Sequence, residues 1–254
     1  MAETDLTGSV VLVTGASSGI GAATAQVVAA QGATVAIAAR RADRLEELQK
    51  TIANAGGTAL VIEADVTERA QAEGCVQRTV DELGGLDVVV NNAGVMLLGP
   101  AEHAPVEEWE RMVQLNVMGL LYVARAALPH LLASAQGDRG VADLVNISSV
   151  AGRVARSGSA VYNGTKHAVG AFSEALRQEV TGRGVRVSLV EPGAVDTELS
   201  SHNRDVVLDA IKKRFEGVRR LEADDIADTI RFIVTRPAHV AVNEVLVRPT
   251  DQEG

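Results

Sequence analysis

From residue 9 to residue 189 the sequence alternates short β-branched runs with longer amphipathic stretches, and this constrains the fold more than any other feature. Such alternation is the pattern of βαβ units, in which each parallel strand needs a helical crossover before the next. The runs predict strands over 9–13, 34–38, 59–63, 86–90, 141–146 and 185–189, with a last one over 244–247. Each is short and apolar, as strands covered on both faces should be. Helices are predicted near 20–31, 42–54, 68–83, 107–135, 161–181 and 224–235, spaced for right-handed crossovers.

The expected fold class is α/β: a Rossmann-like, doubly wound, mostly parallel seven-stranded sheet with helices on both faces. No proline-rich or low-complexity linker interrupts the alternation, so a single domain over 1–254 is expected. Residues 195–221 are the exception, polar and too long for an ordinary connection. They read as a substrate lid, or as a surface excursion with a helix of its own.

Apolar residues at 46% and charged residues at 22% exclude wholesale disorder and fibrous repeats. A formal charge of −9 argues against a nucleic-acid surface, so any phosphate ligand must be held locally. Residues 1–6 lack the cationic flank of a leader, and the apolar stretch 117–135 is broken by Arg125, Pro129 and His130. A cytoplasmic chain with no membrane span is expected. Cys75, the single cysteine, reads as a half-buried small residue, and the scattered histidines predict no metal site.

Directly after the first strand comes Thr14-Gly15-Ala16-Ser17-Ser18-Gly19-Ile20-Gly21, leading into an amphipathic helix. Glycines let a backbone approach a pyrophosphate, whose charge is stabilised by free N–H groups at the start of the helix. An acid at the end of the second strand would bond the ribose 2′-hydroxyl of NAD. Here the strand ends in Ala39-Arg40-Arg41, and guanidinium groups bind a 2′-phosphate that an acid would repel. NADP(H) is the expected cofactor, although two arginines opening a helix also suit a solvated corner.

At this point the chain resembles the short-chain dehydrogenases/reductases, whose glycine loop has the spacing of Gly15, Gly19 and Gly21. Asp65-Val66, Asn91-Asn92-Ala93-Gly94, Asn116, Ile147-Ser148-Ser149, Tyr162-x3-Lys166 and Pro192-Gly193 match that family's motifs in its order. The resemblance implies a catalytic tetrad of Asn116, Ser149, Tyr162 and Lys166. It implies a cofactor held by Gly15, Ser17, Ser18, Gly19, Ile20, Gly21, Asp65, Val66, Asn92, Ala93 and Gly94. Tyr162, Lys166, Pro192, Gly193, Val195 and Thr197 would hold its nicotinamide end. Family members commonly form tetramers through their longest helices, here 107–135 and 161–181, so a homo-oligomer is expected. A narrower resemblance, through 96–100, 172–180 and 248–252, is to the clavulanic-aldehyde reductase and short-chain hydroxy-acid dehydrogenase type.

Tyr162 and Lys166 lie four apart on one helical face. A proton relay at neutral pH needs the tyrosine depressed by about 3 units, and an adjacent cation moves it that way. Ser149 is expected to hydrogen-bond the substrate oxygen, and Asn116 to hold a relay water. Met96 and Arg153, the latter with Arg156, are candidate substrate contacts, the arginines for a carboxylate. The whole reads as carbonyl–alcohol interconversion on a small molecule, with a non-enzymatic dinucleotide sensor as the alternative.

Overall fold

The structure, a computed structural model, describes residues 5–252. Residues 1–4, part of the segment where no leader is expected, and 253–254 lie outside the described residues. The elements run β1 (Val10–Thr14), α1 (Gly19–Ala30), β2 (Thr34–Ala39), α2 (Ala42–Asn54), β3 (Thr58–Glu63), α3 (Arg69–Leu83), β4 (Val88–Asn91), α4 (Val106–Val113), α5 (Leu120–Ser134), β5 (Ala142–Ile147), α6 (Ala160–Val180), β6 (Val185–Pro192), α7 (Asp205–Arg214), α8 (Ala223–Val234) and β7 (Glu244–Val247).

Side chains alternate between the faces of a strand, and in β1 both faces are buried. Val11 and Val13 enter one core with Val28 of α1, Leu45 of α2 and Ile226 of α8. Leu12 enters a second core with Val76 of α3, Val123 of α5 and Leu176 of α6. Burying each such aliphatic side chain contributes about 1.5–3 kcal/mol, so two layers of helices over one sheet satisfy every inner strand. All seven strands of the described residues pair in parallel, in the order β3-β2-β1-β4-β5-β6-β7. The order reverses between β1 and β4, which opens a crevice at the carboxyl ends of the strands.

Some expectations need correction. Full cover on both faces fails for the edge strands: Thr58 and Glu63 of β3, and Glu244 and Leu246 of β7, face solvent. The helix expected over 107–135 does run unbroken from Val106 to Ser134, but its middle, Gln114–Gly119 between α4 and α5, is π-helical, which the sequence did not indicate. By length and composition alone the run Val106–Ser134 would cross a membrane. In the fold its α5 part packs on α3, β4 and β5, with Pro129 inside it. Cys75 is fully buried in the second core rather than half-buried, and burial pushes its thiol up to about 12.

At the amino-terminal ends of β5 and β6, Asp143 and Arg186 are partners in register. Both are buried, and Arg186 bonds the Asp143 carboxylate through Nε at 2.7 Å and Nη2 at 2.9 Å. The 195–221 segment contains α7, as the alternative reading allowed. Its base is pinched by a bridge between Val195 and Leu221, with Asp196 N–H donating to the Leu221 carbonyl at 2.8 Å.

Candidate active site

A cleft of about 390 Å³ opens over the carboxyl ends of the strands. At one end the chain leaves β1 through Gly15 and Gly19, whose φ of +65° and +53° favour glycine. Ser18, the N-cap of α1, gives no side-chain hydrogen bond to the first turn, so the N–H groups there stay available to an anion. Ser17, Ser18, Gly19 and Ile20 line the cleft with Gly15. Gly21 does not. A Cβ there would lie 2.4 Å from the Gly15 carbonyl oxygen and 2.5 Å from Nδ2 of Asn92, so this glycine is required by packing beneath the loop.

The end of β4 fixes that loop from behind. Asn92 donates through Nδ2 to the carbonyls of Thr14 at 3.0 Å and Gly15 at 3.1 Å. The N–H groups of Asn92 and Ala93 in turn donate to the Thr14 hydroxyl. Arg40, Arg41, Asp65, Val66, Asn92, Ala93 and Gly94 all line the cleft, as do Pro192, Gly193, Val195 and Thr197. Arg40 reaches Asp65 at 3.6 Å. Arg41 lies across the glycine loop, donating to the hydroxyls of Ser17 and Ser18 and, at 2.9 Å, to the Glu198 carboxylate. That acid is distant in sequence and was not anticipated.

Further along, Ser149, Tyr162 and Lys166 converge. Ser149 leaves β5 as the N-cap of a short 3-10 turn, and its hydroxyl hydrogen-bonds the Tyr162 phenol. Its neighbour Ser148 turns away to the Lys166 carbonyl. Tyr162 is 5% exposed and Lys166 7%, and the Lys166 ammonium lies 5.9 Å from the centre of the tyrosine ring while donating to the Ile147 carbonyl at 2.9 Å. The depression expected of the tyrosine is absent from the protein alone. Burial pushes its phenol up to about 12, more than the Ser149 hydrogen bond lowers it. Burial also brings Lys166 down to about 8. The phenol is therefore a proton donor at neutral pH, beside a cation that titrates just above it.

Asn116 sits in the π-helical segment, buried. Its Nδ2 donates to the Val95 carbonyl at 2.8 Å and to the Thr165 hydroxyl at 3.3 Å, and its Oδ1 accepts from Val95 N–H at 2.8 Å. Both donors of the amide are taken, so the side chain clamps the post-β4 loop to the turn before Lys166.

Met96 lines the cleft, but Arg153 does not. The Arg153 guanidinium is held by Glu191 at 2.7 Å and Glu244 at 2.8 Å, so the expected substrate contact is a link between β6 and β7. Leu98 stands in the wall beside Met96, and so do residues not anticipated: Ser159, Leu199, His202, Ile211, Phe215 and Arg220. Most come from 195–221, whose mixed polar sequence does not say which of its residues turn toward the cleft. Asn203 ties this segment down, accepting from Leu98 N–H at 2.7 Å and donating to the Met96 carbonyl at 2.9 Å. Tyr122, the chain's other tyrosine, packs against the second core.

A sequence profile of the short chain dehydrogenase family matches residues 9–207. The chain is 36% identical over 247 residues to an uncharacterized oxidoreductase of Staphylococcus saprophyticus, covering 96% of each. It is 42% identical over 249 residues to glycine betaine reductase ATRR of Emericella nidulans, covering 97% of this chain but spanning only 19% of that protein's length. Among solved structures it is similar to the closed form of serine dehydrogenase complexed with NADP+, with a TM-score of 0.87, 34% identity and 96% of each chain covered.

Proposed function

The chain belongs to the short chain dehydrogenase family, and from that premise we propose that it is an NADP(H)-dependent oxidoreductase that interconverts a carbonyl and an alcohol. One observation carries the reading: a buried, protonated phenol, hydrogen-bonded to Ser149 and close to an ammonium, stands in the same cleft as a glycine loop and two arginines.

The residues fit the cofactor. The uncapped start of α1 and the loop residues Gly15 and Ser17 to Gly19 that line the cleft suit a pyrophosphate, and Arg41, already anchored to Ser17 and Ser18, suits a 2′-phosphate. The serine dehydrogenase of similar structure binds NADP+, which supports the same choice here. When bound, the nicotinamide supplies hydride to a carbonyl carbon, or accepts it from an alcohol.

The chain's own groups handle the oxygen. The Ser149 hydroxyl orients the carbonyl oxygen, and Tyr162 delivers its phenolic proton there as negative charge develops. Lys166 stabilises the phenolate left behind, which a raised tyrosine would otherwise hold at high cost. Asn116 positions Lys166 indirectly, through Thr165 and the clamp on Val95. Residues 195–221 close the substrate end as a lid. A second copy of the chain is the partner we assign to the outer faces of α4, α5 and α6.

NADPH consumption over a panel of aldehydes and ketones tests this, with Tyr162→Phe alongside. The expected result is turnover by the wild type, reduced about 10²–10⁴-fold in the variant, with NADPH binding retained by fluorescence. Failure of the wild type to bind either dinucleotide, or full activity in Tyr162→Phe, would overturn the reading.

A further inference from the structure

We infer that the substrate carries a carboxylate, and that Arg156, assisted by Arg220, holds it; the inference rests on the carbonyl–alcohol reading above. The chain as a whole is acidic, with 33 Asp and Glu against 24 Lys and Arg. Among the described residues the cleft reverses this balance: Arg40, Arg41, Arg156, Lys166 and Arg220 line it against only Asp65 and Glu198. Both of those acids are engaged by the two arginines at the cofactor end. The substrate end is left with cations and no free acid, a field that attracts anions into a recess walled by apolar residues such as Met96, Leu98 and Ile211.

Two arginines three residues apart in one loop show where the anion would sit. Arg153 is turned out of the cleft by Glu191 and Glu244. Arg156 lines the cleft, and its guanidinium has no hydrogen bond or ion pair among the described residues. Its backbone is nevertheless fixed. Arg156 N–H donates to Asn163 Oδ1 at 3.2 Å, and its carbonyl accepts from the Ser159 hydroxyl at 3.1 Å. Asn163 follows Tyr162 directly, so the base of this arginine is tied to the helical turn that presents the proton donor. A fixed base and a free guanidinium suit recognition of a planar carboxylate at a set distance from the reacting oxygen. Arg220 approaches from the lid segment, lying over the Phe215 ring at 5.7 Å and reaching the exposed Asp196 only at 3.9 Å.

Matched pairs of oxo acids and their methyl esters test the inference, with acetoacetate, levulinate and succinate semialdehyde as the acids. In the reaction followed, NADPH is oxidised as its hydride passes to the carbonyl carbon, Tyr162 supplies the proton, and the C=O π bond becomes C–H and O–H. The wild type is expected to favour acid over ester in kcat/KM. Arg156→Ala should lower that acid-to-ester ratio by about 10–100-fold, mainly through KM, and Arg156→Lys should restore part of it. NADPH binding to each variant checks its folding. Esters reduced as well as acids by the wild type, or a ratio untouched by Arg156→Ala, would overturn the carboxylate assignment and leave the proposed reaction standing. Reduction of neutral aldehydes or ketones but of no oxo acid would likewise overturn the assignment alone, whereas reduction of no carbonyl compound at all would remove both.

Discussion

The two ends of β5 and β6 treat charge in opposite ways. At the amino-terminal end, Asp143 receives Arg186 on one side and Arg139, at 2.6 Å, on the other. Nη1 of Arg186 donates to the carbonyls of Arg236 at 3.0 Å and Val240 at 2.7 Å, tying the sheet to the turn after α8. At the carboxyl end, Lys166 has one carbonyl partner, and Arg156 offers its whole guanidinium to the cleft. Charge paired inside the fold holds it together, whereas charge left partly unpaired is available to a ligand. A single sheet can do both because its ends are separated by two apolar cores.

Arg186→Ala strikes this contrast hardest. Its loss leaves the buried Asp143 with Arg139 as its cation and takes the donor from the carbonyls of Arg236 and Val240, so stability in urea unfolding should fall by about 3 kcal/mol, with turnover per folded molecule unchanged. A selective loss of turnover at full stability would mean that the amino-terminal end also serves the reaction. Arg41→Ala is the converse test. Loss of charge-assisted bonds should weaken NADPH about 10–100-fold and NADH little, while the unfolding midpoint holds. If NADPH binding is unaltered, the pair with Glu198 is structural and the cofactor is chosen elsewhere.

A pH profile sharpens the comparison further. Burial lowers Lys166 to about 8, so its charge is present below that pH and lost above it. Reduction should be flat from about pH 6 to 7.5 and fall by roughly tenfold toward pH 9, since a unit above a pKa leaves a tenth of the group charged. Lys166→Arg, slower overall, should lose that inflection because guanidinium stays protonated. An inflection retained in Lys166→Arg would assign it to another group.

Much of the sheet was legible because the apolar periodicity and the punctuation agree. In α2 the spacing of Leu45, Leu48 and Ile52 marks the buried face, Gly56 and Gly57 follow its end, and the expected and observed bounds coincide. β7 likewise matches its expected range. The π-helical segment was not legible, since the contact between Asn116 and Val95 that accompanies it joins residues on separate elements. Nor was the Asp143–Arg186 clamp, because an acid in one apolar strand gives no sign of the arginine it meets in another. Among site residues, the motif positions of the glycine loop and the Tyr162–Lys166 turn do meet in one cleft. What the sequence could not rank was Arg153 against Arg156, whose difference lies in Glu191 and Glu244, two acids from strands far along the chain. Gly21 shows a related limit: its spacing fits a ligand loop, and only three-dimensional packing reveals that its place is behind that loop.

The pinched base of the 195–221 segment has an evolutionary consequence. Because Val195 and Leu221 are joined at the foot, the sheet and α8 receive the same two endpoints whatever lies between them. Doubling the length of such an excursion costs only about 0.6 kcal/mol of closure entropy. Selection can therefore exchange this segment as a module, retuning which molecules are accepted while the machinery beneath stays untouched.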